Sequence, residues 1–140
     1  MRFLVLLFFF SSLLFSSEID KIESRILMSM LNAVSNHKGF SIYTNNQKLK
    51  NILPAEQIIF VENCTSADLA ILEKSKIEEN CSNVSIITLE YDLLKKYPNS
   101  IGSFFWQKGR PNIIFIKSRL KNQNIILDRA FDEFVEENIW

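Results

Sequence analysis

The chain has 140 residues, and its sixteen Lys+Arg cancel its sixteen Asp+Glu. That length is one domain, and only six Gly plus Pro argue against collagen, low-complexity disorder and repeat arrays. One His and two Cys are too few for a zinc finger or an iron–sulfur centre, and balanced charge argues against a nucleic-acid binder that neutralises phosphates.

The amino terminus stands apart. Met1 and Arg2 open the chain, Phe3 to Phe10 are apolar without a break, and Leu13 to Phe15 resume after Ser11 and Ser12. Ser16 and Ser17 precede the first acid, Glu18. A positive start, an apolar core and a small-residue region read as a secretory signal peptide over residues 1–17. A cut after Ser16 fits as well as one after Ser17. The apolar core is shorter than the twenty or so residues of a spanning helix. An uncleaved anchor is the alternative. Losing Arg2 leaves fifteen bases against sixteen acids, a net charge of −1. Residues 18–140 then form one exported, periplasmic domain with no stable membrane span.

Export bears on the cysteines. In an oxidising compartment an even number predicts a bridge, here between Cys64 and Cys81; two free buried thiols are the alternative.

Glu18 to Asn36 has a helical stripe of Ile19, Ile22, Ile26, Met30 and Val34, widened by Leu27 and Leu31. Gly39 is the expected C-cap. Phe40 to Tyr43 is a short strand, and Gln47 to Leu53 a short helix stopped by Pro54. Ile58–Val61, Ala67–Leu72 and Asn83–Leu89 are compact apolar runs that read as buried strands. Glu73–Ser82 is polar, and Tyr91–Tyr97 is a short helix or turn. Ile101–Gln107 and Asn112–Lys117 are strands joined by a tight turn at Lys108–Pro111. Asp128 to Asn138 reads as a last helix, with Asp128 at its N-cap and Ala130, Phe131, Phe134 and Val135 facing in. Strands that are apolar along their whole run belong to a sheet covered on both faces. The fold expected is therefore α/β: one domain, a sheet of about five or six short strands covered by helices, a C-terminal hairpin and a terminal helix.

Catalytic patterns are missing. His37 has no nucleophile and orienting acid nearby. No Ser sits in a G-x-S-x-G elbow, and no phosphate-cradling glycine loop occurs. Adjacent acids such as Glu78–Glu79 point apart and read as solvated faces. No catalytic residue, metal site or cofactor is expected.

Two features rise above this background. Residues 108–121 hold Lys108, Arg110, Lys117, Arg119 and Lys121 and no acid, whereas 128–140 hold five acids and one base. The two segments either face each other or are solvated, or the first is a basic edge for an anionic ligand or acidic partner. In Phe104–Phe105–Trp106, strand alternation puts Phe104 and Trp106 on one side and Phe105 on the other. Either both sides are buried or one is an exposed aromatic patch for binding. The binding residues expected are Phe104, Trp106, Lys108 and Arg110.

The run Ala67–Leu72, then Val84–Thr88, Ile101–Trp106, the turn Lys108–Gly109–Arg110 and Pro111–Ile116 resembles the YfiR-like family. The similarity covers about residues 64–127, and Cys64 falls where that family places a cysteine. The first helix here carries Ile, Met and Leu in place of aromatic residues, and the acidic segment from Asp128 lies outside the pattern. The resemblance implies a fold like one lobe of a periplasmic substrate-binding protein. It implies a small regulator that restrains a membrane-bound diguanylate cyclase or sits beside a sensor kinase, and it brings no catalytic residues. The expectation is thus an exported, non-enzymatic regulatory binding domain acting on a membrane-bound sensor. The alternative is a small-ligand carrier related to one lobe of a substrate-binding protein.

Overall fold

The computed structural model describes residues 2–34, 40–74 and 79–139. His37, the Gly39 cap and Glu78 lie outside them. Among the described residues seven strands form one sheet in the order β2-β1-β3-β4-β5-β6-β7. They are β1 (Phe40–Thr44), β2 (Ile58–Phe60), β3 (Leu69–Leu72), β4 (Ser85–Thr88), β5 (Ser100–Gln107), β6 (Arg110–Ile116) and β7 (Val135–Glu136). The first five are mutually parallel. β6 returns antiparallel to β5, and β7 pairs parallel to β6. Order 2-1-3-4-5 is that of a doubly wound α/β sheet. The α/β class matches the sequence reading, with seven strands rather than five or six.

Among the described residues four α-helices accompany the sheet: α1 (Arg2–Val34), α2 (Gln47–Ile52), α3 (Leu93–Lys96) and α4 (Lys117–Asn122). Side chains alternate across each strand, so the interior strands serve two cores, whereas the edge strand β2, expected from its sequence to be buried, turns Ile58 inward and leaves Ile59 63% exposed. Ile42, Leu69, Ile71, Ile87 and Phe115 meet Leu27, Met30 and Leu31 of α1, Leu49 of α2 and Leu120 of α4. On the opposite face, Ala70, Leu72 and Ile86 meet the disulfide, Leu93 and Tyr97. All four residues of β3 are buried, as a strand covered on both faces requires.

Within α1 the inward line runs Glu23, Leu27, Met30, Leu31 and Val34, and Ile22 is 39% exposed. That corrects the expected stripe, which counted Ile22 as inward. The cause is Lys48 of α2. Its ammonium reaches Asp20 at 2.9 Å and Glu23 at 3.0 Å, so a carboxylate takes the inward place. Ser24 Oγ adds a bond to the Ile52 carbonyl at 2.9 Å. Each fully buried Leu or Met of α1 contributes roughly 2 kcal/mol by area removed from water.

Cys64 and Cys81 form a disulfide, with Cα atoms 5.2 Å apart. It joins two 3-10 turns, Cys64–Ser66 and Glu79–Cys81, beneath the second face. Both half-cystines are buried.

The carboxy terminus differs from the reading of one last helix. Residues Arg129–Phe134 form a 3-10 helix, and Val135–Glu136 leave it to join the sheet as β7. Asp128 does cap it, its side chain accepting from the Ala130 amide at 2.9 Å. Phe131 and Phe134 are three apart, which a 3-10 turn serves as well as an α-turn, and Ala130 is exposed. Phe131 packs edge-on against Phe115, ring centroids 5.8 Å apart. The Asp128 amide also bonds the Ala33 carbonyl at 3.1 Å, which returns this segment to α1.

Candidate functional site

The β5–β6 hairpin closes through the two-residue turn Lys108–Gly109, with Gln107 opposite Arg110. Both turn residues have positive φ, 51° and 73°. That is the signature of the turn whose twist matches paired strands. Glycine takes such a φ freely; lysine does so under strain.

The register assigns each side chain a face. Opposite partners are Phe104–Ile113, Phe105–Asn112, Trp106–Pro111 and Gln107–Arg110. Cross-strand partners share a face, and faces alternate along each strand. Phe104, Trp106, Pro111 and Ile113 therefore lie on the α1 side. Phe105, Gln107, Arg110 and Asn112 lie on the other. The sequence reading of Phe104 with Trp106 against Phe105 holds, and Trp106 and Arg110 occupy opposite faces.

Burial divides the four expected binding residues further. Phe104 is 1% exposed and belongs to the core. It touches Trp106 edge-on, centroids 5.8 Å apart, and so supports it from beneath. Trp106 is 38% exposed, and Lys108 and Arg110 are exposed. Phe105 is half-buried against Tyr91, centroids 5.6 Å apart. On the Arg110 face, Gln107, Lys108, Arg110 and Asn112 line an open hollow of about 460 Å³. Among the described residues no carboxylate pairs with Lys108 or Arg110.

The other members of the basic run have separate duties. Lys117 pairs with Glu137 at 2.8 Å, and that hydrogen bond holds its ammonium pKa above the ordinary value. This is the one ion pair between the basic and acidic segments among the described residues. Arg119 turns inward, where burial pushes its guanidinium below the ordinary value. Its Nη1 donates to the carbonyls of Leu94, Tyr97 and Ser100 and to Ser100 Oγ, at 2.7–3.2 Å. It satisfies the end of α3 and the start of β5. Sequence reasoning missed this role because a charge run gives no sign of which member points in.

In a doubly wound sheet, ligands commonly bind outside the carboxyl ends of the strands where the order reverses, here between β1 and β3. Polar side chains that follow β1 meet the residue that follows β3 there. Asn45 exchanges two bonds with the Glu73 backbone, at 2.9 and 3.1 Å, and Asn46 Nδ2 donates to the Glu73 carboxylate at 2.9 Å. A second hollow of about 770 Å³ lies between α4 and β7, floored by Leu120, Ile125, Leu127 and Val135. Its rim carries Lys117 and Lys121 but also Asp132 and Glu137, so its charges balance. Among the described residues no cluster of His, Cys, Asp and Glu fits a metal, and no helix is long and apolar enough to cross a membrane.

No family model, curated protein or solved structure matches the chain.

Proposed function

We propose that the chain is an exported, non-enzymatic regulatory domain of the periplasm, related to the YfiR-like proteins, and that it acts on a membrane-bound sensor kinase or diguanylate cyclase through the tip of the β5–β6 hairpin. The single observation that carries this is Trp106. It stands 38% exposed, held by a buried Phe104, on a hairpin whose turn and opposite face carry Lys108 and Arg110, two cations without carboxylate partners among the described residues. Tryptophan and arginine are the residues that most often dominate protein interfaces, and a rigid two-residue turn presents them at little ordering cost. The buried disulfide suits an oxidising compartment, and the leader-like amino terminus supports export.

Crosslinking in cells followed by identification of the captured protein tests the proposal. Trp106→Ala or Arg110→Glu is expected to abolish capture of the membrane sensor while thermal unfolding stays cooperative. Capture at wild-type levels by both variants contradicts the proposed surface.

The 770 Å³ hollow supports the second reading, a small-ligand carrier. A ligand that raises the melting temperature of wild type but not of Leu120→Trp favours it.

A further inference from the structure

We infer that the Arg110 face of the hairpin is a carboxylate-binding site, and that the partner reaches it with an acidic extended segment. This rests on the hairpin being the contact, as proposed above, and adds the chemistry of what it meets.

Among the described residues, Gln107, Lys108, Arg110 and Asn112 line the hollow on that face. Two are cations, two are amides, and none is an acid. A guanidinium presents a planar fork that matches a carboxylate in two parallel bonds. Amide N–H groups beside it donate to the remaining lone pairs. Asn112 Nδ2 donates to the Arg110 carbonyl at 3.1 Å, which fixes the amide against the strand. Lys108 holds φ at 51°, where hairpins of this type ordinarily place Asn or Gly. Strain of this kind collects at functional sites, and here it keeps a cation at the rim of the hollow.

The face assignment decides between an acidic peptide and a lipid surface. Trp106 and Arg110 are on opposite faces, so a bilayer lying against one face meets only one of them. A tip-first approach drives Lys108 toward the hydrocarbon. Two cations at an anionic bilayer improve partition by only roughly thirtyfold. A polypeptide can straddle the hairpin, its carboxylates on the Arg110 face and its apolar side chains on Trp106. The two contacts are then separable, one sensitive to salt and the other not.

The test uses the full chain, expressed with its own amino terminus and purified as the cell produces it. The probes are a fluorescein-labelled peptide of Glu, Asp and Phe, its Gln and Asn counterpart, and vesicles containing phosphatidylglycerol. The acidic peptide is expected to bind, and to lose about tenfold or more in affinity between about 50 and about 200 mM salt. Lys108→Glu and Arg110→Glu are each expected to weaken it by at least about tenfold. Trp106→Ala weakens it while leaving the salt dependence in place. Melting curves confirm that the variants fold, and Arg110→Gln replaces Arg110→Glu if the latter does not. Equal binding of the amide peptide overturns the inference. So does wild-type affinity in every folded Arg110 variant, or binding to vesicles without binding to the peptide. In the capture experiment, loss with Trp106→Ala but not Arg110→Glu overturns the carboxylate site alone; capture by both overturns the hairpin as the contact.

Discussion

Gly102 shows how one atom shapes the site. It lies opposite Phe115 at the inner end of the hairpin. A Cβ there would stand 2.5 Å from the Ile114 carbonyl oxygen and 2.8 Å from Phe115 Cδ1. Because the first obstacle is backbone, relief requires the strands to shift. We expect Gly102→Ala to destabilise by roughly 2 kcal/mol, read as a lowered melting temperature; unchanged stability would mean that the strands yield freely. Arg119 is the corresponding polar case. Arg119→Met removes the guanidinium from the carbonyls of Leu94, Tyr97 and Ser100, of which Tyr97 keeps the Ser100 amide and hydroxyl as donors, and a loss of about 2 kcal/mol is expected from chemical denaturation. Lys at that place offers a point charge rather than a fork, so Arg119→Lys should restore only part. Full stability in Arg119→Met would show that water serves those carbonyls equally well. Neither residue announces its role in the sequence. Gly102 looks like any strand glycine until its register with β6 is known, and Arg119 looks like one of five solvated bases.

At the scale of elements, two fastenings hold irregular segments to the sheet. The disulfide ties two 3-10 turns that bury little of their own, across a sequence separation of 17. By the loop-closure model it stabilises by about 3 kcal/mol. Replacing both half-cystines with Ala should lower stability by that order in a denaturant titration, and no change would assign the loop's order to packing alone. The other fastening joins α1 to α2 through Lys48. Its pKa is raised above the ordinary 10.5, first by the hydrogen bond to Asp20; desolvation comes next and opposes it, and the hydrogen bond and charge of Glu23 raise it further. A raised folded-state pKa gives stability that is fully present below the unfolded value and is lost as pH rises through the folded one. The stability gap between wild type and Lys48→Met should therefore persist at neutral pH and close above about pH 10.5. A gap that stays constant through that range would show that the lysine stem, not its charge, matters. Much of this level was legible. The apolar runs became β3 and β4 because a strand buried on both faces needs no alternation; the run expected as a third such strand became the edge strand β2, with Ile58 buried and Ile59 63% exposed. The final segment was not, because its Phe131–Phe134 spacing fits two kinds of helix and a two-residue strand has no pattern of its own. Glu23 was hidden because its partner is 25 residues away.

For the whole molecule, the sheet order sets what faces outward. β2 forms one edge, and β6 with the short β7 forms the other. At the place where doubly wound sheets commonly hold ligands, Asn45 and Asn46 hydrogen-bond Glu73. The sequence pointed to that hairpin through its aromatic triplet and basic turn, and it separated Phe105 from Phe104 and Trp106 by alternation alone. It did not separate Trp106 from Arg110. Their opposite faces follow from a register that only the two-residue turn defines. The basic run, contiguous in sequence, is divided in space into a tip, an ion pair and an internal cap.

Placing a photo-crosslinking amino acid at Trp106, at Gln107 and at Ile59 tests the central claim most directly. Ile59 is 63% exposed on β2, at the far edge of the sheet, and so reports contact that does not involve the hairpin. Irradiation of living cells should yield one and the same membrane sensor from Trp106 and Gln107 and not from Ile59. Adducts to that sensor from Ile59 alone, or equally from all three positions, would contradict the hairpin as the surface through which this domain acts.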